Sequence, residues 1–386
     1  MNKYKIELNS LLEITQAINA NIPEDHLYKV FYFTCISNLH ISELALFVLE
    51  KDSFVEKFSH ALSFTTKDLE LFQSVDFEVS KVKSIYPNIN QVFPVRHKKK
   101  LLAALVLGKH NSDDLEQSYS FLQTISNIVL VAIENKRLAR ITLVQERYKR
   151  DLEIARSVQE MLIPSKLPNN EYLKAAATYL PHQSIGGDYY DVIKVEENYV
   201  FCMADVSGKG VSAALIMSNF QASLRSLCKV THNVEEIAID LNKHLLENAI
   251  SDHFVTCFLA HYHVKTRVLT YLNAGHCPPY LVNSQKYETL TKGAYMLGVF
   301  DDFPSNIKGE VVISPGDKLF MYTDGVSETT DDLGNEFGEE RIIEFLRNTL
   351  EEELTMNLAD LIICVDEFKE SQDYKDDLTM LSVVFF

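Results

Sequence analysis

An α+β protein of two domains joined by a helix is the fold class the sequence predicts, on three observations. The chain has 386 residues, more than one hydrophobic core usually organises, so its length favours two domains of about 100–200 residues each. From residue 113 to 162 there is neither proline nor glycine, and helical periodicity persists throughout, the mark of one long helix or two stacked ones. Beyond Pro164 and Pro168, apolar runs of strand length are interleaved with helical stretches, the pattern of sheets flanked by helices.

In the first domain, residues 11–20 and 26–35 have helical apolar spacing, and 45–49 and 101–107 are short apolar runs of strand length. The basic run Arg96-His-Lys-Lys-Lys100 reads as a solvated hairpin turn. In the long helix, Leu138, Ile141, Gln145, Tyr148, Leu152, Ala155, Gln159 and Leu162 recur at alternating steps of three and four. That is heptad spacing with two polar interruptions, compatible with a parallel homodimeric coiled coil or with packing on the protein's own domain. Strands are expected at 189–194, 199–204, 254–263, 268–273, 318–323 and 378–386, and helices at 211–228, 234–246, 339–350 and 358–368. The division expected is 1–135 for the first domain, 136–165 for the helical linker and 166–386 for the second domain.

Composition excludes several classes. A hydrophobic fraction of 46% with 24% charged residues fits neither a disordered nor a fibrous chain. No window approaches a membrane-spanning length of uninterrupted apolar residues, and the six cysteines stand singly inside apolar segments, which suits buried thiols in a reducing, cytoplasmic setting. The net charge of −17 is concentrated in residues 301–386, where 22 acidic side chains face 6 basic ones. Such a surface repels phosphate backbones, so nucleic acid is not an expected partner.

The acids carry the chemistry. If strands 189–194 and 199–204 pair through a turn at 195–198, Asp188 falls directly opposite Asp205, and facing like charges call for a cation between them. Asp324 follows one apolar strand and Asp376-Asp377 precede another, so antiparallel pairing would bring these carboxylates to the same rim. Oxygen-only ligands select hard divalent cations, Mg²⁺ or Mn²⁺, and two such ions can orient a water for in-line attack on phosphorus. Zinc is disfavoured because no C-x-x-C occurs, while His261 and His263 share a strand face without a third partner. No cysteine has an arginine six residues on, and the residue five before Gly208-Lys209 is Met203, which excludes a cysteine phosphatase and a P-loop at that site. Gly208-x-Gly210-x-x-Ala213 formally matches a dinucleotide fingerprint but lacks the following strand with its acid. Ser207-Gly208-Lys209-Gly210 reads better as a flexible turn in which Lys209, Gly208 and a helix N-terminus meet a substrate phosphate.

These segments resemble the SpoIIE-type branch of the PPM metal-dependent serine/threonine phosphatases. The matching stretches are Gln159-Glu-Met-Leu-Ile-Pro164, Gly186-Gly-Asp-Tyr-Tyr-Asp191, Ala204-Asp-Val-Ser-Gly-Lys-Gly210, Asn273-Ala-Gly-His-Cys-Pro-Pro279, Tyr322-Thr-Asp-Gly-Val-Ser-Glu328 and Asp376-Asp-Leu-Thr379. The resemblance implies a β-sandwich flanked by helices, two Mn²⁺ or Mg²⁺ ions, Asp188, Asp205, Asp324 and Asp376 in the metal positions with the Val206 carbonyl beside them, and Asp377 as an outer ligand. It implies as substrate a phosphorylated partner protein similar to a STAS-type anti-sigma-factor antagonist. Broader members carry a histidine two residues after the first-motif aspartate, where this chain has Ser207, so the proton donor to the leaving group is unassigned. His276, before Pro278-Pro279, is expected to serve a turn. The first domain resembles a GAF sensor by element order, with a small ligand or partner of unknown identity.

The function expected is thus a cytoplasmic signalling phosphatase whose helical linker acts as a switch, with Met161 and Leu162 packed on the catalytic core in only one of two states. The contrasting reading is a catalytically silent scaffold with a structural metal site, against which the complete set of acids argues.

Overall fold

The computed structural model describes all residues except 1–2, 52, 75–76, 99, 109–114, 183–184, 249–252, 285–286 and 351–352. The chain divides into two compact units, Met1–Arg147 and Tyr148–Phe386.

The first unit contains α1 (Lys3–Asn19), α2 (Glu24–Phe33) running into a single π turn (Thr34–Asn38), β1 (Leu44–Glu50), β2 (Ser53–His60), α3 (Thr66–Ser74), α4 (Val79–Ile85), β3 (Gln91–His97), β4 (Lys100–Leu107) and most of α5 (Leu115–Glu160). Its sheet is antiparallel in the order β2-β1-β4-β3. Alternation along β1 explains its unbroken apolar run: Leu44 and Leu46 join the core formed with α1, α2 and the Leu122–Ile133 part of α5, while Ala45 and Phe47 enter a second core with Phe54, Phe72 and Phe77. The basic run does form a hairpin, with His97 paired to Lys100, and Lys99 lies outside the described residues.

The second unit holds the end of α5 and β5 (Leu173–Leu180), β6 (Tyr189–Val195), β7 (Asn198–Val206), α6 (Val211–Leu227), α7 (Val234–Asn248), β8 (Val255–His263), β9 (Val268–Ala274), β10 (Tyr280–Val282), β11 (Tyr287–Thr289), β12 (Gly293–Ala294), β13 (Gly309–Val312), β14 (Lys318–Tyr322), α8 (Asp324–Ser327), α9 (Gly338–Asn348), α10 (Leu354–Lys369) and β15 (Leu378–Phe385). Two sheets, β11-β10-β14-β15-β5 and β12-β9-β8-β7-β6 with β13 added on β9, face each other. Phe201, Met203 and Phe258 from one meet Leu319, Met321 and Leu381 from the other. The opposite face of β7, with Val200, Cys202 and Ala204, is covered by Met217, Phe220 and Leu241 of α6 and α7. Phe320 and Tyr322 lie under Ile342 and Leu361 of α9 and α10. Each large side chain so buried contributes about 1.5–3 kcal/mol, and strands covered on both faces must be apolar on both.

Several sequence expectations need adjustment. β5 is not among the expected strands; its Ala175-Ala-Ala177 centre carries little strand propensity, and its ladder to β15 overrides that. The long helix is single and ends at Glu160, short of Pro164, through a turn at Met161 and Leu162. The strand expected at 318–323 ends at Tyr322, and Asp324 opens the short helix α8. All six cysteines are free thiols, four of them buried. No described helix is long and apolar enough to cross a membrane.

Candidate active site

The hairpin register sets the first pair of acids. β6 and β7 pair Tyr189 with Ala204 through Val195 with Asn198, so Asp188 lies just past the end of the ladder, across from Asp205. β14 and β15 pair Tyr322 with Met380, which brings Thr323-Asp324 alongside Asp376–Thr379. Asp188 is buried, and its Oδ2 accepts the Thr323 hydroxyl at 2.8 Å and the Thr379 hydroxyl as well. The Thr323 N–H also donates to the Thr379 carbonyl and the Thr379 N–H to the Thr323 hydroxyl, so the ends of the two strands hold Asp188 jointly.

Charge accumulates where these ends converge. Burial raises the Asp188 carboxyl well above its ordinary range, Asp205 and Asp377 add to this, and the two threonines oppose it. Asp205 is pushed up to about 7 by burial and then by Asp324 and Asp376, with a hydrogen bond from Asp188 acting the other way. Asp324 is raised by burial and by Asp376, while the Gly325 N–H and Lys209 lower it. Among the described residues no three Asp, Glu, His or Cys side chains are already closed around one point. An all-oxygen set under mutual repulsion nonetheless suits a hard divalent cation, which would relieve the repulsion that raises these groups.

Glycines admit this crowding. A Cβ on Gly187 would lie 2.8 Å from the Val206 carbonyl oxygen and 3.5 Å from Asp205 Oδ1, and one on Gly325 would collide with the Asp377 carbonyl. Asp377 itself is buried, its Oδ1 accepting the His182 N–H at 2.8 Å and its Oδ2 the Gly187 N–H at 2.7 Å. It fastens the segment carrying Asp188 to the start of β15. Lys209 pairs with Asp376 Oδ2 at 2.9 Å and donates to the Lys375 carbonyl; Gly208 and Gly210 on either side have φ of +87° and +79°.

Asp191, next to the first motif acid, belongs to a different structure. Its oxygens accept from Arg225 Nε at 2.7 Å and Nη2 at 3.2 Å, from the Val192 N–H and from the Tyr189 hydroxyl. Ser207 is engaged as well: its hydroxyl accepts the Phe254 N–H at 2.8 Å. His276 closes a turn, with its N–H donating to Asn273 Oδ1 and its carbonyl accepting from Asn273 Nδ2; burial lowers its pKa to about 4.

Four contributors escaped sequence reasoning. Thr323 and Thr379 lie inside quoted motifs, but only the β14–β15 register reveals their shared acceptor. Gln159, a polar interruption of the heptad, is buried and bonded to Gly186. His253 places Nδ1 2.7 Å from the Ser207 carbonyl oxygen; pairing β7 with β8 through Val206 and Val255 would have found it.

Comparison with known proteins follows the same lines. The profile of the family described as Stage II sporulation protein E (SpoIIE) matches residues 196–386. Over 238 residues the chain is 29% identical to phosphoserine phosphatase RsbU of Bacillus subtilis (strain 168), covering 60% of this chain and 70% of RsbU. It is 26% identical over 191 residues to phosphoserine phosphatase RsbP of the same organism, covering 47% of this chain and 46% of RsbP. The structure of the SiaA-PP2C domain of Pseudomonas aeruginosa superposes with a TM-score of 0.57 at 21% identity, over 63% of this chain and 99% of that domain, a likeness of fold. With that profile, these relatives and that fold, residues 196–386 form a SpoIIE-type protein serine/threonine phosphatase domain with a PP2C-like fold.

Proposed function

We propose that the chain removes phosphate from a phosphoserine or phosphothreonine of a partner protein in a signalling pathway, using two divalent cations, Mn²⁺ or Mg²⁺. The observation that carries this reading is the convergence of Asp188, Asp205, Asp324 and Asp376 at adjoining strand ends, where burial and then neighbouring acids raise the carboxyls of Asp188, Asp205 and Asp324. Its support from relatives is that RsbU and RsbP are named phosphoserine phosphatases. These four carboxylates and the Val206 carbonyl would hold the ions, with Asp377 behind them. When bound, the ions supply a water activated for in-line attack on phosphorus. The chain's own part is positional: the threonine pair orients Asp188, and Gly208, Lys209 and the N-terminus of α6 receive the phosphate.

The substrate fitting this reading is a STAS-type antagonist of an anti-sigma factor. Residues 1–135 would act as a GAF-like sensor for a small ligand or a partner, 136–165 as the transmitter and 166–386 as the catalytic domain, in a homodimer. The test is hydrolysis of p-nitrophenyl phosphate and of a phosphoserine protein by the full chain. We expect turnover with Mn²⁺ or Mg²⁺ and none in EDTA; absence of turnover under every metal condition overturns the proposal.

A further inference from the structure

We infer that Lys209 is a positioning residue handed from Asp376 to the substrate phosphate when a divalent cation enters the cleft, an inference that rests on the metal-binding reading above. Its ammonium lies 2.9 Å from Asp376 Oδ2 and also donates to the Lys375 carbonyl. These two contacts tie the turn after β7 to the turn before β15. In this arrangement the lysine serves as counter-ion to an acid and is not free to receive a substrate.

The tie is built to break. Both side chains are close to half exposed, at 41% and 45%, so solvent screens the pair and its net strength is small. Asp376 also stands in the field of Asp205 and Asp324, both of which it raises. One ammonium compensates one charge of that cluster, whereas a divalent cation compensates two and takes oxygens from several carboxylates at once. Competition for Asp376 therefore favours the cation. The turn can follow, because Lys209 is flanked by Gly208 and Gly210, both at positive φ, where glycine allows rearrangement at little steric cost. Released from Asp376, the ammonium lies one glycine before α6, a helix of 17 residues whose N-terminus favours an anion. Cation and phosphate then bind in order, the first exposing part of the site for the second, and by reciprocity phosphate strengthens retention of the cation.

Calorimetric titration of the full chain with Mn²⁺, comparing wild type, Lys209→Met and Lys375→Met, tests this. Lys375 is exposed and adjacent to Asp376, so its replacement controls for simple loss of positive charge. Lys209→Met is expected to bind Mn²⁺ about two- to fivefold more tightly than wild type, with Lys375→Met close to wild type. With Mn²⁺ saturating, inorganic phosphate should bind more weakly to Lys209→Met than to wild type. Equal or weaker Mn²⁺ binding by Lys209→Met, or an equal gain in Lys375→Met, overturns the handover. Unchanged phosphate binding in Lys209→Met overturns its second half. A wild type that binds no Mn²⁺ at all overturns the metal-binding reading instead.

Discussion

Gln159 and Gly186 exchange hydrogen bonds: the amide Nε2 donates to the glycine carbonyl at 2.7 Å, and the glycine N–H donates back to Oε1 at 3.3 Å. Gly186 is followed by Gly187, packed against the Val206 carbonyl, and by Asp188. The last turn of α5 thereby grips the segment that carries the first acid. Met161, by contrast, is 77% exposed, so of the residues at this helix end Gln159 and not Met161 holds the catalytic unit, while the half-buried Leu162 offers its carbonyl to Gln221 Nε2 at 3.3 Å.

Gln159→Ala should therefore weaken the site without unfolding it. Losing two buried hydrogen bonds costs about 1–3 kcal/mol, and we expect Mn²⁺ affinity or turnover to drop about tenfold with an unchanged circular dichroism spectrum. Met161→Ser should have little effect. Wild-type kinetics in Gln159→Ala would show that the contact is a passive tether.

The neighbouring aspartates should separate into two phenotypes. Asp205→Asn and Asp324→Asn each remove charge from the proposed metal cluster without changing shape, so hydrolysis should fall to background while the melting temperature holds or rises, since repulsion is relieved. Asp191→Asn breaks the clasp on Arg225 and should cost about 1–3 kcal/mol of stability while retaining activity in the folded fraction. Activity within a few-fold of wild type in Asp205→Asn at saturating Mn²⁺ would refute the assignment.

A pH dependence follows from His261. Burial lowers its pKa to about 4, with His232 and His263 adding to the effect, and the His232 and His261 ring centroids are 5.3 Å apart. The folded pKa is below the unfolded one, so the unfolded chain binds more protons between about pH 6.5 and 4. Stability from this group is lost as pH falls through that window. Relative to wild type, His261→Phe should gain about 1–3 kcal/mol between pH 7 and 4 in urea unfolding. A difference that stays constant with pH contradicts this.

Helix α5 carries the prediction about assembly. Residues 137–151 are exposed on every side, Leu138, Ile141 and Tyr148 among them, whereas Leu152 and Ala155 are half-covered and Gln159 is buried. A homodimer seam confined to the stretch from Leu138 to Tyr148 would cover the heptad positions that lack packing. Ile141→Asp is then expected to convert a sedimenting dimer to monomer at micromolar concentration. A monomeric wild type rules the seam out.

Sequence alone determined a good deal of this protein. The apolar runs located six strands of the second unit, though not β5, because a strand covered on both faces has to be apolar throughout. Counting residues across one short hairpin placed Asp188 opposite Asp205, because antiparallel pairing leaves no freedom once the turn is known. Tertiary structure alone decided which polar groups attend those acids. Asp188 and Asp191 are three positions apart and look alike in sequence, yet one accepts hydroxyls from Thr323 and Thr379 and the other the guanidinium of Arg225. The partners of Asp188 come from the end of β14 and from β15, more than 130 positions away, and only the register between distant strands brings them within hydrogen-bonding reach. Gln159 looked like an interruption for the same reason. Periodicity records which face of a helix avoids water, but a buried amide is tolerated only where a main-chain partner awaits it, and the fold supplies that partner at Gly186.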